Sequence, residues 1–318
     1  DLGNIAIGQM MAFMQYAMQI IMSFLMIAMI AIMLPRASVA ANRIYEVLSM
    51  EVKISDPKNP ESFDENKKGL VEFKNVTFKY PGANEAVLEN ISFTAKPGET
   101  TAFIGSTGSG KSTLINLIPR FYEVTDGKIE VDGVDIRNVN QHDLRDKIGL
   151  VPQKGLLFSG TIRSNLTYGA PDASDEELEE VIKIAQAKEF IDQKEKRLDD
   201  PISQGGTNVS GGQKQRLAIA RAIAKKPEIF IFDDSFSALD FKTDAKLRNE
   251  LNKMIEKTRS TVLIVGQRIA SIMSANQIIV LDEGKIVGKG THDELMKNCK
   301  VYQEIAYSQL SKEELGHE

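Results

Sequence analysis

Residues 105–113 read Gly105-Ser106-Thr107-Gly108-Ser109-Gly110-Lys111-Ser112-Thr113. They fit the pattern G-x-x-x-x-G-K-[ST] of a phosphate-binding loop. The apolar run 99–104 before the loop predicts a buried strand, and residues 112–118 after it predict a helix. The glycines let successive backbone N–H groups point at one centre, to which the helix N-terminus adds partial positive charge. We therefore expect Lys111 to reach the β- and γ-phosphates of a nucleotide and the Ser112 hydroxyl to ligate Mg²⁺.

Length, charge and cysteine content limit the class of protein. A chain of 318 residues is long enough for one large domain or two small ones. The formal net charge of −5 argues against a nucleic-acid partner, because neutralising phosphates needs a basic surface. The single cysteine, Cys299, excludes an intrachain disulfide and fits a reducing cytosol.

The first part of the chain is apolar. Residues 2–34 carry no charged side chain, and a bilayer core needs only about 20 helical residues, so this stretch predicts a transmembrane helix. A wholly buried core helix is the alternative. No basic segment precedes the run, which argues against a signal peptide. Arg36 and Arg43 follow it, so its C-terminal side is predicted to be cytoplasmic.

The composition then predicts three parts of the chain. Residues 1–50 form the transmembrane helix and an amphipathic extension, with Pro35 inside a single long helix. Residues 51–69 are polar and unpatterned and predict a linker. Residues 70–318 predict an α/β domain, with a mostly helical insert at about 156–222.

The strands of this domain are predicted from apolar alternation and from short apolar runs. They are expected within residues 71–80, 91–95, 127–133 and 147–153. Residues 229–232 are four apolar residues that lead to Asp233. A buried parallel strand would bring this carboxylate to Mg²⁺ at the phosphate-loop edge of the sheet.

A second glycine-rich turn lies between the phosphate loop and Asp233. Residues 208–216 read Asn-Val-Ser-Gly-Gly-Gln-Lys-Gln-Arg and open a predicted helix that runs to Ala224. The turn offers further backbone N–H groups and the Ser210 hydroxyl as ligands for phosphate.

We call the Ser-Gly-Gly-Gln sequence at residues 210–213 the signature. The chain has, in this order, the phosphate loop, the signature and a strand that ends in Asp, and this order resembles an ATP-binding cassette (ABC) transporter nucleotide-binding domain. The resemblance covers about residues 70–305. It implies a P-loop NTPase α/β fold with a helical subdomain and an N-terminal β-subdomain, and ATP and Mg²⁺ as cofactors. It also implies roles for residues outside the phosphate loop. Tyr80 would stack on adenine, Gln153 would contact Mg²⁺ or the attacking water, and the loop that ends in Asp240 would contact the partner domain. The signature residues would bind the ATP held by the partner domain: Ser210, Gly211, Gly212 and Gln213.

The resemblance further implies an assembly. Two such domains close head to tail, with each ATP between the phosphate loop of one domain and the signature of the other. The apolar start resembles the last membrane helix of an exporter half of the multidrug and lipid type, which has six such helices. We therefore expect a C-terminal fragment of a multi-pass protein of the cell membrane, with a cytoplasmic nucleotide-binding domain, a second half-transporter as partner and an amphipathic substrate.

Three positions depart from the family pattern. Asp234 stands where a hydrolysing site usually has Glu as general base, and its side chain is shorter. Gln267 replaces a His that holds the γ-phosphate, and an amide cannot become cationic. Gln204 stands where many exporters carry Glu.

With these changes the chain resembles the degenerate-site subunit of a heterodimeric exporter. Such a subunit binds ATP on its own motifs but hydrolyses it slowly, while its intact signature serves the partner's site. Two alternatives remain open. One is a homodimeric exporter with two slow sites, and the other is a soluble ABC-type ATPase that acts in DNA repair or translation.

Overall fold

A computed structural model describes residues 6–309 of the chain. Its contacts divide the chain into two units, Asp1–Ser55 and Asp56–Glu318. The described helices are α1 (Ile7–Leu48), α2 (Lys111–Leu117), α3 (Gln141–Asp146), α4 (Ile162–Leu166), α5 (Asp175–Ile184), α6 (Lys188–Asp192), α7 (Gly211–Ala224), α8 (Phe241–Thr258), α9 (His292–Asn298) and α10 (Lys300–Gln309).

The strands of the second unit form a six-stranded sheet, a four-stranded antiparallel sheet and a two-stranded one. In chain order they are β1 (Val71–Phe78), β2 (Leu88–Ala95), β3 (Thr100–Gly105), β4 (Asp126–Val131), β5 (Val134–Asp135), β6 (Ile148–Val151), β7 (Gly160–Thr161), β8 (Pro201–Ile202), β9 (Ile229–Asp233), β10 (Thr261–Val265), β11 (Gln277–Asp282) and β12 (Lys285–Gly290). The six-stranded sheet has the order β12-β11-β3-β10-β9-β6 and is parallel except for β12. The four-stranded sheet has the order β2-β1-β4-β5.

The six-stranded sheet is covered on both faces, which is why its strands are apolar at consecutive positions. In β9, Phe230 and Phe232 pack into a core with helices α4–α8, whereas Ile229 and Ile231 pack into the other core with α2 and the antiparallel sheet. The α/β fold with a separate antiparallel sheet and an inserted helical part, α4–α7 between β6 and β9, agrees with the sequence prediction.

Helix α1 is continuous over 42 residues and has Pro35 inside it. At 1.5 Å per residue it is about 63 Å long, about twice the thickness of a bilayer core. None of its described side chains is buried, and its apolar residues occupy every face. Of the described helices, α1 alone is long and apolar enough to cross a membrane.

The segment predicted as a linker (residues 51–69) is bound to the second unit from Asp56 onward. We call residues 56–69 the strap. The backbone N–H of Gln141 donates to Asp56 Oδ1 at 2.9 Å, and the N–H of Gly69 donates to Asp132 Oδ1 at 2.7 Å. These partners lie 85 and 63 residues away along the chain, so no local pattern in the strap indicates that it is anchored.

An ion cluster lies beneath the strap at the start of β6. The Lys147 ammonium is 2.9 Å from an Asp132 carboxylate oxygen and 2.8 Å from Glu228 Oε2. It also lies 4.8 Å from the centre of the Phe63 ring, and Phe63 packs against the core beside the antiparallel sheet. The strap therefore covers charges that would otherwise face water.

Candidate active site

The predicted site residues come together at one edge of the six-stranded sheet. In the parallel register, Val265 of β10 lies opposite both Phe103 of β3 and Asp233 of β9. The loop 105–113 therefore leaves β3 beside the carboxylate that ends β9, and Gln267 follows two residues after β10. The carboxyl ends of parallel strands are where α/β folds place their ligands.

Two glycines of the loop 105–113 are required by its close packing. A Cβ at Gly105 would overlap the carbonyl oxygen of Leu281. Gly110 has φ = 96°, in the left-handed region, and a Cβ there would lie 2.7 Å from Leu88 Cδ2. The backbone can therefore curl directly into α2, whose first residue is Lys111 rather than the predicted Ser112.

The Lys111 ammonium lies inside this loop. It donates to the carbonyl oxygens of Gly105 at 2.9 Å and Ser106 at 2.7 Å, and to Ser109 Oγ at 3.3 Å. Burial lowers the pKa of Lys111, and the charges of two carboxylates nearby act in the opposite direction. An anion bound by the loop would give the ammonium hydrogen bonds in which the acceptor is charged too, and these are stronger than bonds to neutral carbonyl oxygens.

Ser112 and Asp233 form the second contact of the predicted site. The Ser112 hydroxyl donates to Asp233 Oδ1 at 2.9 Å. Burial raises the pKa of Asp233, and the hydrogen bond from Ser112 opposes that shift. A hydroxyl and a carboxylate oxygen are ligands that Mg²⁺ prefers, and the nucleotide phosphates would supply others. The residues present thus fit a Mg²⁺–nucleotide complex.

Asp234 connects the other two residues that were predicted to act in hydrolysis, Gln153 and Gln267. Its Oδ2 accepts hydrogen bonds from Gln267 Nε2 at 2.7 Å and from Gln153 Nε2 at 3.2 Å. Burial raises the pKa of Asp234, and the Gln153 hydrogen bond acts against that shift. The residue has φ = 46°, a left-handed conformation that Asp tolerates better than most side chains.

Tyr80 lies next to the phosphate loop. Its hydroxyl is 2.9 Å from Thr113 Oγ1, and its ring makes edge contacts with Phe78 and Tyr122. The ring is half-buried, so part of its surface is open to a further partner. Tyr122 was not among the predicted site residues, although the aromatic pair Phe121-Tyr122, a few residues after α2, was a usable signal.

The signature residues make a separate cluster at the start of α7. Ser210 Oγ accepts from the Gln213 N–H at 3.2 Å, and Gln213 Oε1 accepts from the Ser210 N–H at 3.0 Å. A Cβ at Gly212 would lie 3.3 Å from the carbonyl oxygen of Ala238, so the turn before α8 packs closely here. Asp240 caps α8. These contacts leave Gly211 exposed.

One contact of Gln267 was not indicated by any local pattern. Gln309, at the end of α10, donates to the Gln267 carbonyl oxygen at 2.8 Å. The two residues are 42 positions apart, and residues 300–309 have no motif that would have suggested a role at the site.

Comparison with known proteins agrees with this geometry. Residues 88–237 match the family described as ABC transporter. The chain is 47% identical, over 99% of its length, to an uncharacterized ABC transporter ATP-binding protein of Mycobacterium tuberculosis. It is 44% identical, over 77% of its length, to the beta-(1→2)glucan export ATP-binding/permease protein NdvA of Rhodopseudomonas palustris.

The fold is also similar to that of a solved exporter. A bacterial Atm1-family ABC exporter with ATP bound aligns with a TM-score of 0.81 and 31% sequence identity, over 93% of this chain. The chain covers 54%, 41% and 51% of the lengths of these three proteins, or about half of each. The loop, the signature, the parallel sheet and these similarities together show that the chain contains an ATP-binding domain of the ABC transporter family, with one long apolar helix before it.

Proposed function

We propose that this chain binds ATP with Mg²⁺ at the loop 105–113. The observation that carries the proposal is the 2.9 Å contact between Ser112 Oγ and Asp233 Oδ1, whose residues are 121 positions apart. It places an oxygen pair suited to Mg²⁺ beside a loop whose N–H groups and ammonium suit phosphates.

Each residue of the site has a role in this proposal. The loop N–H groups and Lys111 hold the phosphates, Ser112 and Asp233 hold the metal ion, and Tyr80 supports the adenine through its half-buried ring. Bound Mg²⁺ would offset the charge of the phosphates. Gln153 and Gln267, whose amides both donate to Asp234 Oδ2, act beside the terminal phosphate in this proposal.

We expect Lys111→Ala to weaken ATP binding by the full-length protein about tenfold to a hundredfold, because a charge-assisted contact is lost. Equilibrium titration with a fluorescent ATP analogue measures this change. Lys246→Ala, at an exposed position of α8, is the control and should bind as the unaltered protein does. Equal affinity of both variants would refute the assignment.

The wider function that we propose is coupling of ATP binding and hydrolysis to export of an amphipathic substrate. Support comes from α1, whose apolar residues occupy every face, and from relatives that are membrane exporters. In this proposal the chain works in the cell membrane with a second half-transporter, its nucleotide-binding domain is cytoplasmic, and the lipid bilayer surrounds α1. The same two observations favour an exporter over a soluble ABC-type ATPase.

We also propose that the site on this chain hydrolyses ATP slowly. Asp234 has a short side chain, and its Oδ2 already accepts two amide hydrogen bonds. A general base must come within about 3 Å of the water that it deprotonates, so the shorter side chain is at a disadvantage. Gln267 offers an amide where the family pattern has an ionisable imidazole.

The signature supports a division of labour between two subunits. Ser210, Gly211, Gly212 and Gln213 keep the complete pattern, and Gly211 is exposed. In the head-to-tail arrangement this surface faces the nucleotide of the partner. We therefore propose that this chain contributes a working signature to the partner's site while its own site mainly binds ATP.

A further inference from the structure

The side chain of Gln309 makes two hydrogen bonds to the main chain beside Gln267. Its Nε2 donates to the Gln267 carbonyl oxygen at 2.8 Å, and its Oε1 accepts from the Ile269 N–H at 2.8 Å. Both polar atoms of one amide are therefore used on two peptide groups that flank Arg268. A side-chain amide that bridges a C=O and the N–H two residues later closes a ring and restricts the backbone between them.

The backbone that Gln309 holds is fixed on its other side too. The N–H of Gly266 donates to the Phe103 carbonyl oxygen at 3.0 Å, and the Ile269 side chain is fully buried. Between these anchors Arg268 is extended, with φ = −109° and ψ = 129°. The Gln267 side chain leaves this segment and donates to Asp234 at 2.7 Å, so its position depends on the backbone that Gln309 restrains.

Helix α10 brings Gln309 to this segment from a fixed base. The Tyr302 side chain is fully buried, and its hydroxyl is 2.8 Å from His292 Nδ1. Ala306, one turn later on the same face, is also fully buried. Gln309 is therefore carried by a helix that packs against the domain.

We propose that Gln309 is a positioning residue of the ATP site. It holds the main chain of residues 267–269 so that the Gln267 amide faces Asp234 and the terminal phosphate. The proposal rests on the proposed function, because it acts through a residue of that ATP site. It extends the site to α10, which lies outside the matched family region 88–237.

The test measures how fast nucleotide leaves this site. In the full-length transporter, the phosphate-loop lysine of the second site is replaced, so that labelled ATPγS with Mg²⁺ reports on this chain alone. We expect Gln309→Leu to release ATPγS about fivefold faster, since two hydrogen bonds that restrain the segment are lost.

A matched control lies on the same helix. Gln303 Nε2 donates to the Met296 carbonyl oxygen at 2.8 Å, so Gln303→Leu also removes a side-chain amide bond to the main chain of the C-terminal helices. We expect Gln303→Leu to lower the thermal midpoint about as much as Gln309→Leu does. Its ATPγS release should stay within about twofold of the unaltered protein.

Two further measurements separate positioning from general stability. In a Gln267→Ala background, Gln309→Leu should cause no additional change in ATPγS release, because the residue through which it acts is already absent. Gln309→Glu keeps the side-chain shape but, when ionised, cannot donate to the Gln267 carbonyl. We expect the variant to release ATPγS faster than the unaltered protein near neutral pH. The ratio of the two release rates should fall toward one as the pH falls toward about 4.3, because a protonated Glu donates again.

The outcomes are distinct. Three results would each overturn the positioning role. The first is equal ATPγS release by Gln309→Leu and Gln303→Leu, and the second is an effect of Gln309→Leu that adds to that of Gln267→Ala. The third is a ratio of Gln309→Glu release to unaltered release that does not change with pH. If Gln309→Leu does not fold, the Gln309→Glu pH series decides. If the unaltered site binds no ATPγS, or Lys111→Ala binds it equally well, the proposed function fails instead.

Discussion

At the scale of single residues, Asp234 is the acceptor that joins two loops. Its N–H donates to the Val265 carbonyl oxygen at 3.0 Å, and its φ of 46° directs the side chain to the amides of Gln153 and Gln267. A left-handed conformation at a non-glycine residue persists where the surroundings fix it, and such residues are common at active sites. Asp234 therefore organises the site whether or not it accepts a proton.

The change Asp234→Asn tests the proposal of a slow site. We expect steady-state ATPase of the assembled full-length transporter to change less than about twofold, because a base that contributes little loses little when it is removed. Replacing the general base of the partner's site should lower the same rate about 10²–10⁴-fold. Release of labelled phosphate measures both changes.

The opposite substitution gives the matching gain of function. Asp234→Glu with Gln267→His restores the reach of the base and a protonatable contact to the phosphate. With the partner's site inactivated, single-turnover phosphate release from this chain should rise about tenfold or more. Rapid release from the unaltered site under the same conditions would refute the slow-site proposal.

At the scale of elements, the N-terminus of α7 combines a helix cap with the signature. Ser210 is both the cap and a signature residue, so Ser210→Ala removes a hydroxyl and costs about 1 kcal/mol of helix stability. Gly211 is different. Apart from its chain neighbours and the backbone of its own helix, no described atom lies within 4 Å of a Cβ placed there, so a side chain at this position meets no other element of the domain.

We therefore expect Gly211→Leu to leave folding intact and to lower ATPase of the assembled transporter at least about tenfold. The physical reason is that the leucine occupies space that the partner's nucleotide needs in the head-to-tail arrangement. ATP affinity at this chain's own loop should change less than about twofold. The measurements are steady-state ATPase and equilibrium ATP binding.

The control for this prediction is Glu176→Leu. It places the same side chain at an exposed position in the first turn of α5, away from the signature, and should leave the ATPase rate unchanged. A Gly211→Leu variant that loses ATP binding at its own loop and retains full ATPase would contradict the head-to-tail arrangement.

At the scale of the whole molecule, the sequence predicted best those elements that show in a continuous stretch of apolar or uncharged residues. The apolar run 229–232 predicted a strand buried on both faces, and the structure ends that strand at Asp233. The uncharged stretch 2–34 predicted the long apolar helix. The anchoring of the strap and the Gln309 contact could not be predicted, because each depends on polar partners far apart in the chain.

The proposal of two unlike subunits makes a prediction for the whole transporter. Full-length protein expressed alone should hydrolyse ATP at less than about a tenth of the rate of the pair formed with a half-transporter that has Glu and His at the two changed positions. ATPase of the two purified preparations measures this difference. Equal rates would favour the homodimeric alternative with two slow sites.

The strap bears on where this polypeptide can be cut. A boundary at residue 70, which composition alone recommends, would remove the N–H of Gly69 from the buried Asp132 carboxylate and strip the Phe63 ring from Lys147. A buried carboxylate that loses a donor destabilises the fold by about 1–3 kcal/mol. An excised nucleotide-binding domain should therefore begin at or before Asp56, so that the first residues of the truncated protein are those that close its own surface.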